Sequence, residues 1–188
     1  MPTSTNEESW YALRTFFSQE LKVSQYLEAN ALKHFIPMRS QVHETRDGHL
    51  VRRMYPVVHN LIFVRKTMSR AAMHTIFSQC PYPISVYHHI DSEQRWCEIS
   101  DKELMDLRLI CDVTFTEPKF ISQEESELEV GTEVVVMHGP LKGIQGKLVR
   151  KQKKYYILKT FVGMGVSLAI SRWCCKPLDE SLTINKKQ

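Results

Sequence analysis

At 188 residues and 22.0 kDa, the chain has room for one large domain or two small ones. A hydrophobic fraction of 43% and a charged fraction of 24% exclude a collagen-like, low-complexity or wholly disordered protein. The net charge of +4 is too mild to mark a nucleic-acid binder, but its distribution is uneven. Six acids stand against Lys119 from Glu117 to Glu133, followed by seven basic residues and no acid from Lys142 to Lys159.

The N-terminal residues 1–8 hold two acids and neither a basic run nor an apolar core, so they are expected to be disordered rather than a secretory signal. Trp10 to Phe16 reads as a strand. Phe16, Val23, Leu27 and Ala31 then recur at offsets of 7, 4 and 4, the spacing of one helix face. Asp47-Gly48 lies between the arms 40–46 and 49–56, a type I′ hairpin signal. Those arms, with the residue just before them, carry Arg39, Arg46, Arg52 and Arg53. Val57 to Val64 is nearly all apolar, as in a strand buried on both faces. Ser69 to Ser78 predicts a short helix, ended by Pro81 and Pro83, and Ile84 to His88 another strand. Ser100-Asp-Lys-Glu103 is a capping box that starts a helix with Leu104, Leu107 and Cys111 on one stripe. Strands and helices thus alternate over about 105 residues, the order expected of an α+β sandwich in which helices cover a sheet.

After Asp112 the character changes. Residues 113–127 are acidic and polar, contain Pro118 and show no period, so they read as a linker. Short β-rich runs follow, Glu133–Met137, Gly146–Arg150, Tyr155–Phe161 and Val166–Ile170, separated by glycines. A small barrel over 128–180, with a tail at 181–188, suits that pattern. No stretch approaches the roughly 20 apolar residues of a membrane-spanning helix. The five cysteines form no Cys-x-x-Cys pair and read as reduced thiols of a cytoplasmic protein.

The most specific local pattern is Gly131-Thr-x-Val-x-Val, then Gly139-Pro140-x-x-Gly143-x-x-Gly146. It is no phosphate-binding P-loop, because Leu141 and Leu148 stand where that motif needs a glycine and a hydroxyl. It resembles the KOW motif of SH3-like barrels. The parts before it resemble the NGN domain that precedes this barrel in the NusG family. Trp10-Tyr-Ala-Leu-Arg-Thr15 matches that family's first strand, and Pro56-Val-Val-His-Asn-Leu-Ile-Phe-Val64 its central strand. Ile99-Ser-Asp-Lys-Glu-Leu104 matches the start of its last NGN helix. One departure stands out. The usual Phe-Pro-Gly-Tyr is Val58-His59-Asn60-Leu61 here.

The resemblance implies an NGN domain over 9–112, a KOW barrel over 128–180, and a transcription elongation factor that binds RNA polymerase. Side-chain alternation puts His59, Leu61 and Phe63 on one face and Val58, Ile62 and Val64 on the other. An uncovered apolar sheet face, with Val58, His59, Leu61, Phe63 and Arg14, would then grip the clamp helices of the polymerase's largest subunit. His74 and Thr75 lie near the position of a polar cluster that touches the opposite jaw in specialised members. Phe161 and Val162 occupy the loop that the family presents to Rho or to a ribosomal protein, though ordinary barrel filling explains them equally. Lys151, Lys153, Lys154 and Tyr155 are candidates for nucleic-acid contact, or simply a solvated face. The altered central strand and the segment Arg95–Glu103 resemble UpxY-type regulators, which would imply antitermination of a long, surface-polysaccharide operon. A housekeeping member that couples polymerase to Rho or the ribosome is the alternative. An RNA- or ribosome-binding module built on the barrel is another. The histidines, cysteines and carboxylates form no nucleophile–base or ligand constellation, so no enzyme, cofactor or metal is expected. A monomer is expected.

Overall fold

The computed structural model describes residues 9–89, 92–112, 118–122, 125–126, 129–161 and 164–178. The N-terminus 1–8, the tail 181–188, Val162 and much of the expected linker lie outside these residues. The chain divides between Cys111 and Asp112 into two compact units.

The first unit runs β1 (Ser9–Thr15), α1 (Glu20–Ala29), β2 (His34–Phe35), β3 (Met38–Glu44), β4 (Leu50–Pro56), β5 (Leu61–Arg65), α2 (Arg70–Ser78), β6 (Ile84–Val86), β7 (His88–His89), β8 (Ser92–Trp96), β9 (Glu98–Ser100) and α3 (Asp101–Asp112). Its main sheet is antiparallel in the order β2-β5-β1-β6, with β9 also on β1. The β3–β4 and β7–β8 pairs form separate two-stranded ribbons. Alternation sends Tyr11, Leu13, Ile62 and Val64 to one face. There they pack with Val23 and Leu27 of α1, Met73 and Phe77 of α2, and Trp96. Trp10, Ala12, Leu61 and Phe63 share the opposite face, and all four are buried. Helix α3 lies over that side. The Trp10 indole N–H donates to Asp101 Oδ1 at 3.0 Å, and the Arg108 guanidinium stands 4.6 Å from the centroid of Phe35, which stacks on Phe63.

Several local signals act as expected. The short helix expected over Ser69–Ser78 forms as α2, and Ser69 caps it by accepting the Ala72 N–H at 3.3 Å. At α3 the Ser100 N–H donates to Glu103 Oε2 at 2.8 Å and the Glu103 N–H to Ser100 Oγ at 3.2 Å, a reciprocal capping box. Leu104, Leu107 and Cys111 are buried, joined by Ile110.

Others are corrected. The helix face expected from Phe16 to Ala31 is shorter, because α1 ends with Asn30 as its cap and Ala31 turns left-handed at φ 56°. Leu32 N–H then reaches Leu27 O and Ala31 N–H reaches Glu28 O, a Schellman closure built on alanine instead of glycine. The strand expected from Val57 begins only at Leu61, since Asn60 takes φ 62° and breaks the extended run. The Asp47-Gly48 hairpin forms, but not through a type I′ turn. Only Gly48 has positive φ (77°), and Gly48 N–H donates to Thr45 O at 2.9 Å. A type I′ turn needs positive φ at both central residues, so the loop is the three-residue kind with glycine in the left-handed position.

The second unit contains β10 (Lys119–Ser122), β11 (Thr132–Val136), β12 (Gln145–Lys151), β13 (Lys154–Phe161), β14 (Met164–Ile170), a 3-10 turn at Arg172–Cys174, and β15 (Cys175–Pro177). They pair antiparallel in the order β10-β14-β13-β12-β11-β15. Residues 119–122, expected within the linker, are thus a strand that pairs with Met164–Ser167. Val134, Val136, Leu141, Ile144, Val149, Ile157, Val166 and Leu168 make the core. Gly146 has no room for a side chain, because a Cβ there would lie 2.5 Å from the Leu158 carbonyl oxygen.

Candidate functional site

The structure overturns the uncovered sheet face. Leu61 and Phe63 are fully buried, because α3 occupies the side on which they point, so they support the fold and present no surface. Arg14 and His59 are exposed and Val58 is half-buried. His59 and Val58 sit in the turn before β5, and Arg14, near the end of β1, pairs with Leu61.

That turn is locked to the loop between β1 and α1. Glu20 is 2% exposed, and its Oε1 accepts the Asn60 N–H at 2.5 Å, with His59 Nδ1 4.0 Å away. Asn60 Oδ1 accepts the Ser18 N–H at 3.1 Å, and Asn60 O accepts the Thr15 N–H at 3.0 Å. Phe17 and Ser18 both take left-handed conformations, φ 58° and 52°. Two such residues in a row, neither of them glycine, store backbone strain, and strain of this kind concentrates at ligand clamps and functional loops. Its outcome is an aromatic ring held out in solvent. Phe17 is 81% exposed and Leu21, one helical turn on, is 62% exposed. Beside them the Arg14 guanidinium stands 5.2 Å from the Phe16 ring centroid. Phe17 and Leu21 were not legible as site residues. The available signal was Phe17 itself, an aromatic that falls off the Phe16, Val23, Leu27 and Ala31 stripe.

His74 and Thr75 are exposed on α2. Thr75 Oγ1 donates to Ala71 O at 3.1 Å, the ordinary hydroxyl back-bond of a helix. The His74 ring stacks at 25° and 6.2 Å on Trp96. Arg70, His74, Phe77, His88 and Trp96 border a cleft of about 420 Å³ between α2 and β6.

At the edge of the main sheet, Glu98 receives Lys66 Nζ at 2.8 and 3.0 Å and Ser9 Oγ at 2.9 Å. Partial burial works to raise the Glu98 carboxyl, but the hydrogen bonds from Lys66 and Ser9 outweigh it and hold the group below its usual range. The same hydrogen bond raises Lys66. Tyr11 is raised by burial and then by the Glu98 charge.

In the second unit, Gly139 and Gly143 take φ 84° and 91°. They close the loop in which Lys142 N–H reaches Gly139 O and Gly143 N–H reaches Val136 O. Pro140 is exposed at its tip, and Gly131 lies with Leu148 O where a Cβ would clash. For Phe161 the barrel-filling alternative holds. It is 3% exposed and ends β13 inside the core instead of lining a partner loop. Val162 lies outside the described residues. Part of the basic run is engaged within the unit, Lys151 with the Glu129 carboxylate and Lys147 with the Glu129 carbonyl. Lys153 and Lys154 are exposed, and half-buried Tyr155 lies under the Arg150 guanidinium at 5.6 Å. Sequence reasoning missed Trp173, which is 78% exposed.

Among the described residues no group of three metal-ligating side chains converges. None of the described helices is long and apolar enough to cross a membrane. No curated protein matches the chain significantly. Residues 8–108, the first unit and more than half of the chain, match the family model described as NusG, transcription termination factor nusG. The chain that folds a helix-covered antiparallel sheet from Ser9 to Asp112 therefore belongs to the NusG family of non-enzymatic transcription factors.

Proposed function

We propose that the protein is a transcription elongation and antitermination factor that binds RNA polymerase through its first unit. The observation that carries this is the family match over residues 8–108, since members of that family generally bind the polymerase. No chemistry is required. A factor that binds the processive conformation of polymerase more tightly than the paused one shifts the balance by that difference in affinity alone.

Arg14, Val58, His59, Phe17 and Leu21 make the polymerase-facing surface in this reading, set around the Glu20–Asn60 lock. His74 and Thr75 on α2 would meet the opposite jaw. The second unit acts as a KOW barrel that recruits a further partner, at the raised effective concentration that a tether provides. Its glycine-proline loop supports the reading. Regulation of one long operon, such as a surface-polysaccharide operon, is favoured over a housekeeping role. The burial of Phe161 weakens the case for a Rho or ribosomal contact through that ring.

The test is retention of RNA polymerase by the immobilised full chain and by its Phe17→Asp and His59→Asp variants. Retention by the parent, and about a tenfold loss with Phe17→Asp at unchanged thermal stability, supports both the function and the surface. No retention by the parent removes the polymerase reading, and unchanged retention by both variants removes the surface.

A further inference from the structure

We propose that the second unit binds single-stranded nucleic acid through Trp173, with Lys142, Arg172 and Lys176 holding the phosphates. Trp173 sits in the middle of the 3-10 turn Arg172–Cys174, with 78% of its surface in solvent. Trp10 and Trp96 are each only 6% exposed, so this is the one indole of the three left outside the packing.

Its surroundings decide the class of partner. The Met137 N–H donates to Cys174 O at 2.7 Å, and Val136 pairs with Cys175. The backbone of the 3-10 turn therefore runs beside the loop that opens at Met137 and closes at Gly143. The two segments, 137–143 and 171–177, contain Lys142, Arg172, Lys176 and His138, and no acid. They also offer almost no apolar rim. Leu141 is buried, and Met137, at 39% exposed, is the only other large apolar side chain at the surface there. A protein partner would be expected to meet an apolar cluster sealed by neighbours. An exposed indole with cations on the neighbouring backbone supplies the two parts that a base-stacking platform combines. Every base has a π-face, so the platform is tolerant of sequence, and the cations follow the backbone charge. The site differs from the Lys151–Tyr155 stretch, where Glu129 engages Lys151 and Arg150 covers the Tyr155 ring. It does not depend on polymerase binding by the first unit.

The experiment uses the full chain with 12-nucleotide oligouridine and oligodeoxythymidine. Because the other two indoles are buried, quenching of the intrinsic fluorescence reads Trp173 directly. Both oligonucleotides are expected to quench it, and a difference between them reports contact with the 2′-hydroxyl. By anisotropy of the labelled oligomer, Trp173→Ala is expected to weaken binding about tenfold, while Trp173→Phe stays within about threefold. The triple change Lys142→Gln, Arg172→Gln and Lys176→Gln is expected to flatten the dependence of log K on log salt by about 2, at about 0.7 per phosphate contact. Circular dichroism of each variant should match the parent, since none of these side chains is in the core. Absence of quenching, or binding by Trp173→Ala within twofold of the parent, overturns the proposal. So does tighter binding to oligoglutamate than to either oligonucleotide, which would make the partner an acidic protein.

Discussion

The two units solve the same problem, burying one antiparallel sheet, in opposite ways. In the first, α1 and α2 cover one face and α3 the other, so all four residues from Leu61 to Val64 belong to the core. In the second, the strands of a six-stranded sheet bury Val134, Val149, Ile157, Val166 and Leu168 among themselves. The difference shows where each unit can meet a partner. A sheet covered twice has no face to offer, and what the first unit holds out in solvent lies at the sheet's end, where left-handed backbone in the β1–α1 loop exposes Phe17. The second unit has turns and strand edges in solvent, and its exposed indole comes from a 3-10 turn.

The sharpest way to break this comparison is Leu61→Asp. If both faces are covered, a carboxylate there has no water and no partner, and the cost should exceed about 4 kcal/mol. Urea unfolding should lose the first unit's transition and keep the second's. A variant that unfolds within about 1 kcal/mol of the parent would mean that the face is open after all. In the second unit the counterpart is Gly146→Ala, which drives a Cβ to 2.5 Å from the Leu158 carbonyl oxygen. Overpacking against backbone should cost about 3 kcal/mol, read as a shift in that unit's denaturant midpoint. A midpoint equal to the parent's would show that β12 and β13 can separate without penalty.

The smallest effect concerns the surface clamp at the sheet edge. Glu98 is depressed in the folded state, so its contribution is present above the unfolded carboxyl value and disappears as pH falls through the folded one. Lys66 is raised, so its contribution is complete below the unfolded amine value and is lost only as pH rises through the folded one. Both groups are more than a third exposed, and solvent screening limits the pair to at most about 0.5–1 kcal/mol. Glu98→Gln should therefore lower the urea midpoint slightly at neutral pH and leave it equal to the parent's at strongly acidic pH. A gap that persists in acid would show that packing, and not charge, makes the contribution.

What could be read early follows from how local each signal is. The Ser100–Glu103 box involves residues three apart and formed as expected, and the short helix read from Ser69 formed as well. Turn geometry was less legible. Asp47-Gly48 carries the standard type I′ dipeptide and does not use that turn. Gln152-Lys153 carries no such signal, yet takes φ 48° and 64° between Lys151 and Lys154, as a two-residue turn of that kind requires. In both hairpins the register of the flanking strands outweighed the preference of the loop residues. The expectation of an uncovered sheet face failed for a related reason. Alternation correctly placed Leu61 and Phe63 on one side of β5, but no spacing within the strand says whether a helix forty residues later will cover that side.

The sequence alone therefore determined the things that neighbours along the chain decide. These are the starts of α2 and α3, the broad alternation of strands and helices, the change of character after Asp112, and the family. Only the tertiary structure decided which sheet face is closed, which loop is strained into solvent, and which tryptophan remains exposed. Burial is a property of what arrives from elsewhere in the chain. Trp10, Trp96 and Trp173 are chemically the same residue, and packing alone left the last one free to act.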